Sequence, residues 1–131
     1  MPAVSTLLVR LAFAYLLAGS TIGAALLIGK ALTIWPWLWS LRPLHIEFLL
    51  FGWMVQLAFG VGSWILPRTA ERYDLRPLVG ALVLVNLGVW LSGVAAAQAW
   101  HAALLAGRIL EMAAMAAFGW HIWPRIRPFR G

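Results

Sequence analysis

No cysteine occurs in this chain. That excludes disulfides, iron–sulfur clusters and any group attached covalently through paired cysteines. Charge is also scarce: 11% of residues are charged, against about 25% in an ordinary soluble domain. Acidic residues are the rarest, four against ten lysines and arginines, for a net charge of +6. Such a balance invites a nucleic-acid reading, but the positions reject it. The arginines stand mostly at the ends of apolar runs, where membrane-topology signals belong. What is abundant is hydrophobic surface, 63% of the 131 residues. It comes in four long runs rather than in an amphipathic pattern. The composition therefore predicts an all-α integral membrane protein, a four-helix bundle forming one domain, with the lipid bilayer as its first partner.

The first run, Leu7 to Ile28, is long enough to span and is read as a retained helix rather than a cleavable signal. Helix boundaries are expected at about 6–29, 44–66, 77–97 and 101–123. Gly19 and Gly23 give the first helix a spacing of small residues that lets another helix approach closely. Residues 31–43 hold Trp35, Trp37 and Trp39 with Pro36 and Pro43. Indoles concentrate at headgroup level, so this connector is expected to lie along the membrane surface. Pro43 suits a helix start and Pro67 a helix stop. A polar turn follows at 67–76, and Pro77 opens the third helix. Residues 98–100 leave almost no loop before the fourth.

Basic residues orient the bundle. With the N-terminus inside, that side collects Arg10, Arg68, Arg72, Arg76, Arg125, Arg127 and Arg130, seven against Lys30 and Arg42 outside. Both termini are expected to be cytoplasmic. The second and fourth helices then run parallel, from outside to inside.

The second helix carries a distinctive stripe. Steps of three or four from His45 reach Leu49, Gly52, Gln56, Gly60 and Ser63, with Phe48, Trp53, Leu57 and Trp64 off it. An imidazole followed two turns deeper by a glycine offers a metal ligand and clearance for a flat ring. His101 opens the fourth helix. If His45 is the second residue of its helix and His101 the first of its own, the two lie at matching depth on helices that can face each other. Two such imidazoles can ligate one iron from both sides. One alone leaves an open coordination site for a gas. The expected cofactor is heme b, with His45 and His101 as metal ligands.

On the fourth helix the His101 face continues through Leu105, Arg108, Met112, Met115 and Gly119. An arginine inside a span costs roughly 2.5–3.5 kcal/mol on the gentler scales and so needs a purpose. Glu111 at i+3, Gln56, Asn86 or a heme propionate could supply it, although Arg42 and Lys30 are better placed for propionates. The expected cofactor-binding set is His45, His101, Gly52, Gln56, Arg42 and Arg108. His121, about 30 Å from His101 along the axis, cannot share that iron. It is read as interfacial beside Trp120 and Trp123. Glu47 points away from the His45 stripe and is either a solvated outer residue or one that orients a neighbour.

His45, then Phe59-Gly60-Val61-Gly62-Ser63-Trp64, then Leu66-Pro67-Arg68, together resemble the second helix of heme–copper oxidase subunit I and its nitric oxide reductase relatives. In that family a histidine opens this helix and binds the low-spin heme. The resemblance implies that role for His45 alone. The family's other heme ligand and its active-site histidines come from later helices that this chain lacks, so copper and oxygen reduction are not carried over.

The leading expectation is a b-type heme protein for electron transfer or for sensing or handling NO or O2. It would serve as a small subunit beside a respiratory oxidase or nitric oxide reductase, as a homo-oligomer or in a larger complex, in the inner membrane of a bacterium or archaeon. The alternative is a cofactor-free accessory or assembly subunit. In that case Gly52, Gly60 and Gly62 serve packing, and Gln56, Asn86, Arg108 and Glu111 form a buried polar cluster. A proton or solute channel through those four residues is a third reading, weakened by the lack of a continuous carboxylate chain. More a redox or accessory subunit than a stand-alone catalyst, the chain shows no hydrolase, nucleotide or zinc motif.

Overall fold

The computed structural model describes residues 2–67 and 74–126. Among them the chain is helical and contains no strand. Four helices are long and apolar enough to cross a membrane. They are labelled α1 (Ala3–Leu32), α2 (Pro36–Ile65), α3 (Arg76–Ala97) and α4 (His101–Arg125). An all-α integral membrane protein follows from their length and hydropathy. Four of the seven arginines behind the orientation argument, Arg68, Arg72, Arg127 and Arg130, lie outside the described residues.

α1 is buried along one seam: Ser5, Leu8, Ala12, Tyr15, Gly19, Leu26 and Gly29. Their spacing alternates three and four, the repeat of a coiled-coil seam, with Ile22 filling the half-buried step. Small residues on this seam bring α2 close. A Cβ built on Gly19 would stand 2.8 Å from Leu49, and one on Gly60 would stand 2.8 Å from Val9. Ser5 and Ser63 share a buried hydroxyl contact of 2.8 Å across the seam.

The tryptophan connector is itself partly helical. Pro36–Leu41 is a 3-10 turn that runs straight into helical residues Arg42–Glu47. Trp35, Trp37 and Trp39 remain exposed, as expected of headgroup anchors. α2 therefore begins eight residues earlier than the proline pattern predicts. Its middle, Phe48–Val55, is π-helical. Leu66 is extended because the ring of Pro67 forbids it the helical region.

α3 and α4 form a tight antiparallel hairpin. Ala99 takes a left-handed φ of 57° and Trp100 N–H reaches back to Ala95 O at 2.8 Å. That is the Schellman closure, and it explains how three residues suffice as a loop. Along the hairpin Gly88 lies against Glu111, and Gly107 against Ser92. The core joins α1, α2, α3 and α4 through Leu8, Tyr15, Phe48, Phe59, Leu78, Val85, Val89 and Ala114. Phe59 stacks on Phe118 at 4.2 Å and ties α2 to α4.

Candidate functional site

The His45 stripe stays on one face, and that face is the seam with α1. The His45 ring lies over Gly23, where a built Cβ would stand 2.5 Å from Cε1. Its Nδ1 lies 2.7 Å from Gly19 O. A carbonyl only accepts, so Nδ1 carries the proton and Nε2 holds the lone pair. This is the arrangement that metal-ligating histidines commonly use: one nitrogen fixes the tautomer through a carbonyl and the other is left to bind. Among the described residues no hydrogen bond reaches Nε2. His45 itself is half-buried at the edge between α1 and α2.

The rest of the expected ring pocket is otherwise engaged. Gly52 does not clear space for a ring, because Tyr15 fills it: a Cβ there would stand 2.6 Å from Tyr15 Cγ. Tyr15 is held by its hydroxyl, which donates to Asn86 Oδ1 at 2.8 Å, and by an edge contact with Phe48. Gln56 lies in the same chain of bonds. It accepts from Asn86 Nδ2 at 2.9 Å and points its own amide at Leu8 O, 3.4 Å away. Arg108 is claimed by two carboxylates, Glu47 and, at 2.8 Å, Glu111. Arg42 is exposed at the rim of a cavity of about 240 Å³ that Glu47 and Arg108 also line.

His101 is not brought to His45. It is exposed, as are Leu105, Met112 and Met115, so the face read as inward looks out of the bundle. The depth match also fails, because it rested on His45 standing second in its helix. α2 starts at Pro36, and the Glu47–Arg108 pair puts Arg108 level with Glu47. His101 then lies about five residues, roughly 7.5 Å, beyond the level of His45. Of the two readings left open for Glu47, solvated or orienting a neighbour, the contacts favour the second: it is 3% exposed and paired with Arg108. His121 is buried rather than interfacial, with Nδ1 3.1 Å from Asp74 O and Arg125 beside it, while Trp120 and Trp123 are exposed.

For heme b the fit is thus one-sided. The tautomer of His45, seated on Gly23, would let this one residue hold the iron of such a group. A second ligand does not come from His101 of the same chain in this arrangement. Among the described residues no three His, Cys, Asp or Glu side chains gather as a metal site.

Sequence reasoning missed the seam of Gly88, Ser92, Gly93 and Gly107. The signal was present as Gly88 and Ser92 four apart on one helix and Gly107 on the next, a small-xxx-small pattern. It also missed that Asn86 joins Tyr15 to Gln56. No known protein family, curated protein or solved structure matches the chain.

Proposed function

We propose that this chain is a small membrane subunit that holds a b-type heme through His45, for electron transfer or for binding a diatomic gas. The observation that carries the reading is the Nδ1–H donated to Gly19 O, which leaves Nε2 as a ligand of fixed tautomer over Gly23. When bound, the heme would supply one-electron chemistry or a gas-binding iron. The other coordination position is completed from outside the chain or kept open. The proposal extends to the sidedness read from the arginines, with His45 near the outer face, and to association with a respiratory oxidase or nitric oxide reductase in a prokaryotic inner membrane.

A second reading is favoured by a separate observation. Every glycine of the His45 stripe packs on α1, and Gln56, Asn86, Arg108 and Glu111 are all bonded within the bundle. A cofactor-free accessory subunit needs nothing more. Oxidised and dithionite-reduced absorption spectra decide between the two, taken on protein expressed with ample heme. The heme reading expects a sharp reduced α-band that is lost in His45→Ala and kept in His101→Ala. A colourless wild type leaves the accessory reading.

A further inference from the structure

A guanidinium offers more N–H donors than two acids use. Arg108 gives one to Glu47 and one to Glu111 and keeps the others. Both acids are buried, whereas the Arg108 side chain is 44% exposed. It lines a cavity of about 240 Å³ with Arg42, Pro43, Ile46, Glu47 and Ala96, where α2, α3 and α4 meet. Arg42 is exposed at the rim and makes no ion pair among the described residues. The cavity lies at the tryptophan end of the bundle. Arg42 follows the exposed Trp39 by three residues, and Ala96 precedes the exposed Trp100 by four. Indoles mark headgroup level, so the opening faces the phosphates of one leaflet.

Depth and charge together define the ligand. From Arg42 to Glu47 is five residues of helix, about 7.5 Å. Arg108 stands level with Glu47 through their ion pair. Two guanidiniums therefore bracket the cavity, one at its mouth and one deeper, within reach of a phosphate bonded on both sides. Arginine forks match phosphate oxygens. With both acids ionised, Arg42 and Arg108 balance Glu47 and Glu111, so the cluster exerts little long-range pull on a free anion. A lipid needs no such pull. The membrane delivers it, and its chains can lie along the apolar wall of Pro43, Ile46 and Ala96. Asp74 is the one exposed acid among the described residues, and it lies beyond the far end of α3, so an ammonium headgroup finds no exposed acid here. We propose that Arg42 and Arg108 bind the phosphodiester of one anionic phospholipid, of the phosphatidylglycerol class, from the leaflet at the tryptophan end. The site stands independently of any heme at His45.

The test is native mass spectrometry of the delipidated full chain in detergent, titrated with phosphatidylglycerol or phosphatidylcholine, with and without inorganic phosphate. Wild type is expected to retain one phosphatidylglycerol per chain, to bind phosphatidylcholine more weakly, and to keep its lipid in excess phosphate. Arg42 is exposed, so Arg42→Gln is expected to fold with an unchanged circular dichroism spectrum while losing about tenfold in affinity for phosphatidylglycerol. Ala96→Leu keeps every charge but fills the cavity, and is also expected to weaken binding. Lys30→Gln removes another exposed cation away from the cavity and is expected to bind as wild type does. The proposal is overturned if phosphatidylcholine binds as tightly as phosphatidylglycerol, or if inorganic phosphate displaces the lipid. It is equally overturned if Lys30→Gln weakens binding as much as Arg42→Gln, or if Arg42→Gln and Ala96→Leu both bind as wild type does.

Discussion

Gly52→Ala is the sharpest probe of the α1–α2 seam. The new methyl would stand 2.6 Å from Tyr15 Cγ, 2.8 Å from Cδ1 and 3.0 Å from Cβ. Ordinary contact begins at 3.4 Å, so the ring must retreat by about 0.8 Å. It has little freedom to do so. Its hydroxyl is bonded to Asn86, its edge meets Phe48, and the methyl presses on the ring base rather than on a flexible tip. Overpacking of this kind costs about 1–3 kcal/mol. Gly80→Ala is the control, because nothing lies within 4 Å of its built Cβ. There the helix gains alanine's propensity, a stabilisation of up to about 1 kcal/mol. One substitution thus gives opposite signs at two positions. The assay is equilibrium unfolding in mixed micelles, followed by tryptophan fluorescence and by far-ultraviolet circular dichroism. Equal stability of the two variants would refute the packing of Tyr15 over Gly52.

Three further outcomes follow from the polar contacts. Asn86→Ala strips Tyr15 of its acceptor and Gln56 Oε1 of its donor, and is expected to cost about 1–2 kcal/mol in the same unfolding assay. Tyr15→Phe breaks only one of these bonds and is expected to cost near 0.6 kcal/mol, the usual scale for such bonds in membranes. Arg125 donates to Ser63 O, Leu66 O and Pro67 O and so caps the end of α2. A lysine lacks the planar fork this requires, so Arg125→Lys is expected to speed amide exchange around residues 63–66 by about tenfold without unfolding the bundle.

Much of the fold was legible because hydropathy and proline act locally. The four spans and the stop at Pro67 needed no tertiary knowledge. The His45 stripe was legible too, but its partner was not. A row of small residues clears space for a flat ring and for a neighbouring helix in the same way, and only the seam on α1 decides between them. Reading α1 in steps of three and four from Ser5 would have exposed that seam. Glu47 was left undecided because it lies off the His45 stripe, and its face meets α3 and α4. His101 was put at the depth of His45 by starting the second helix at residue 44. The 3-10 turn at Pro36–Leu41 shifts the level of His45, and no local signal distinguishes it from a surface connector. The π-helical stretch has no sequence mark beyond the glycine inside it.

The central claim is that His45 Nε2 is an iron ligand held in place by Gly19. Heme content and the reduced spectrum of His45→Gly, with and without added imidazole, test it most directly. Substitution at the ring's position over Gly23 leaves a cavity that free imidazole can fill. The account predicts loss of the α-band in His45→Gly and its return on titration with imidazole. A variant that keeps the wild-type band without imidazole would contradict the assignment, as would a wild type that binds no heme.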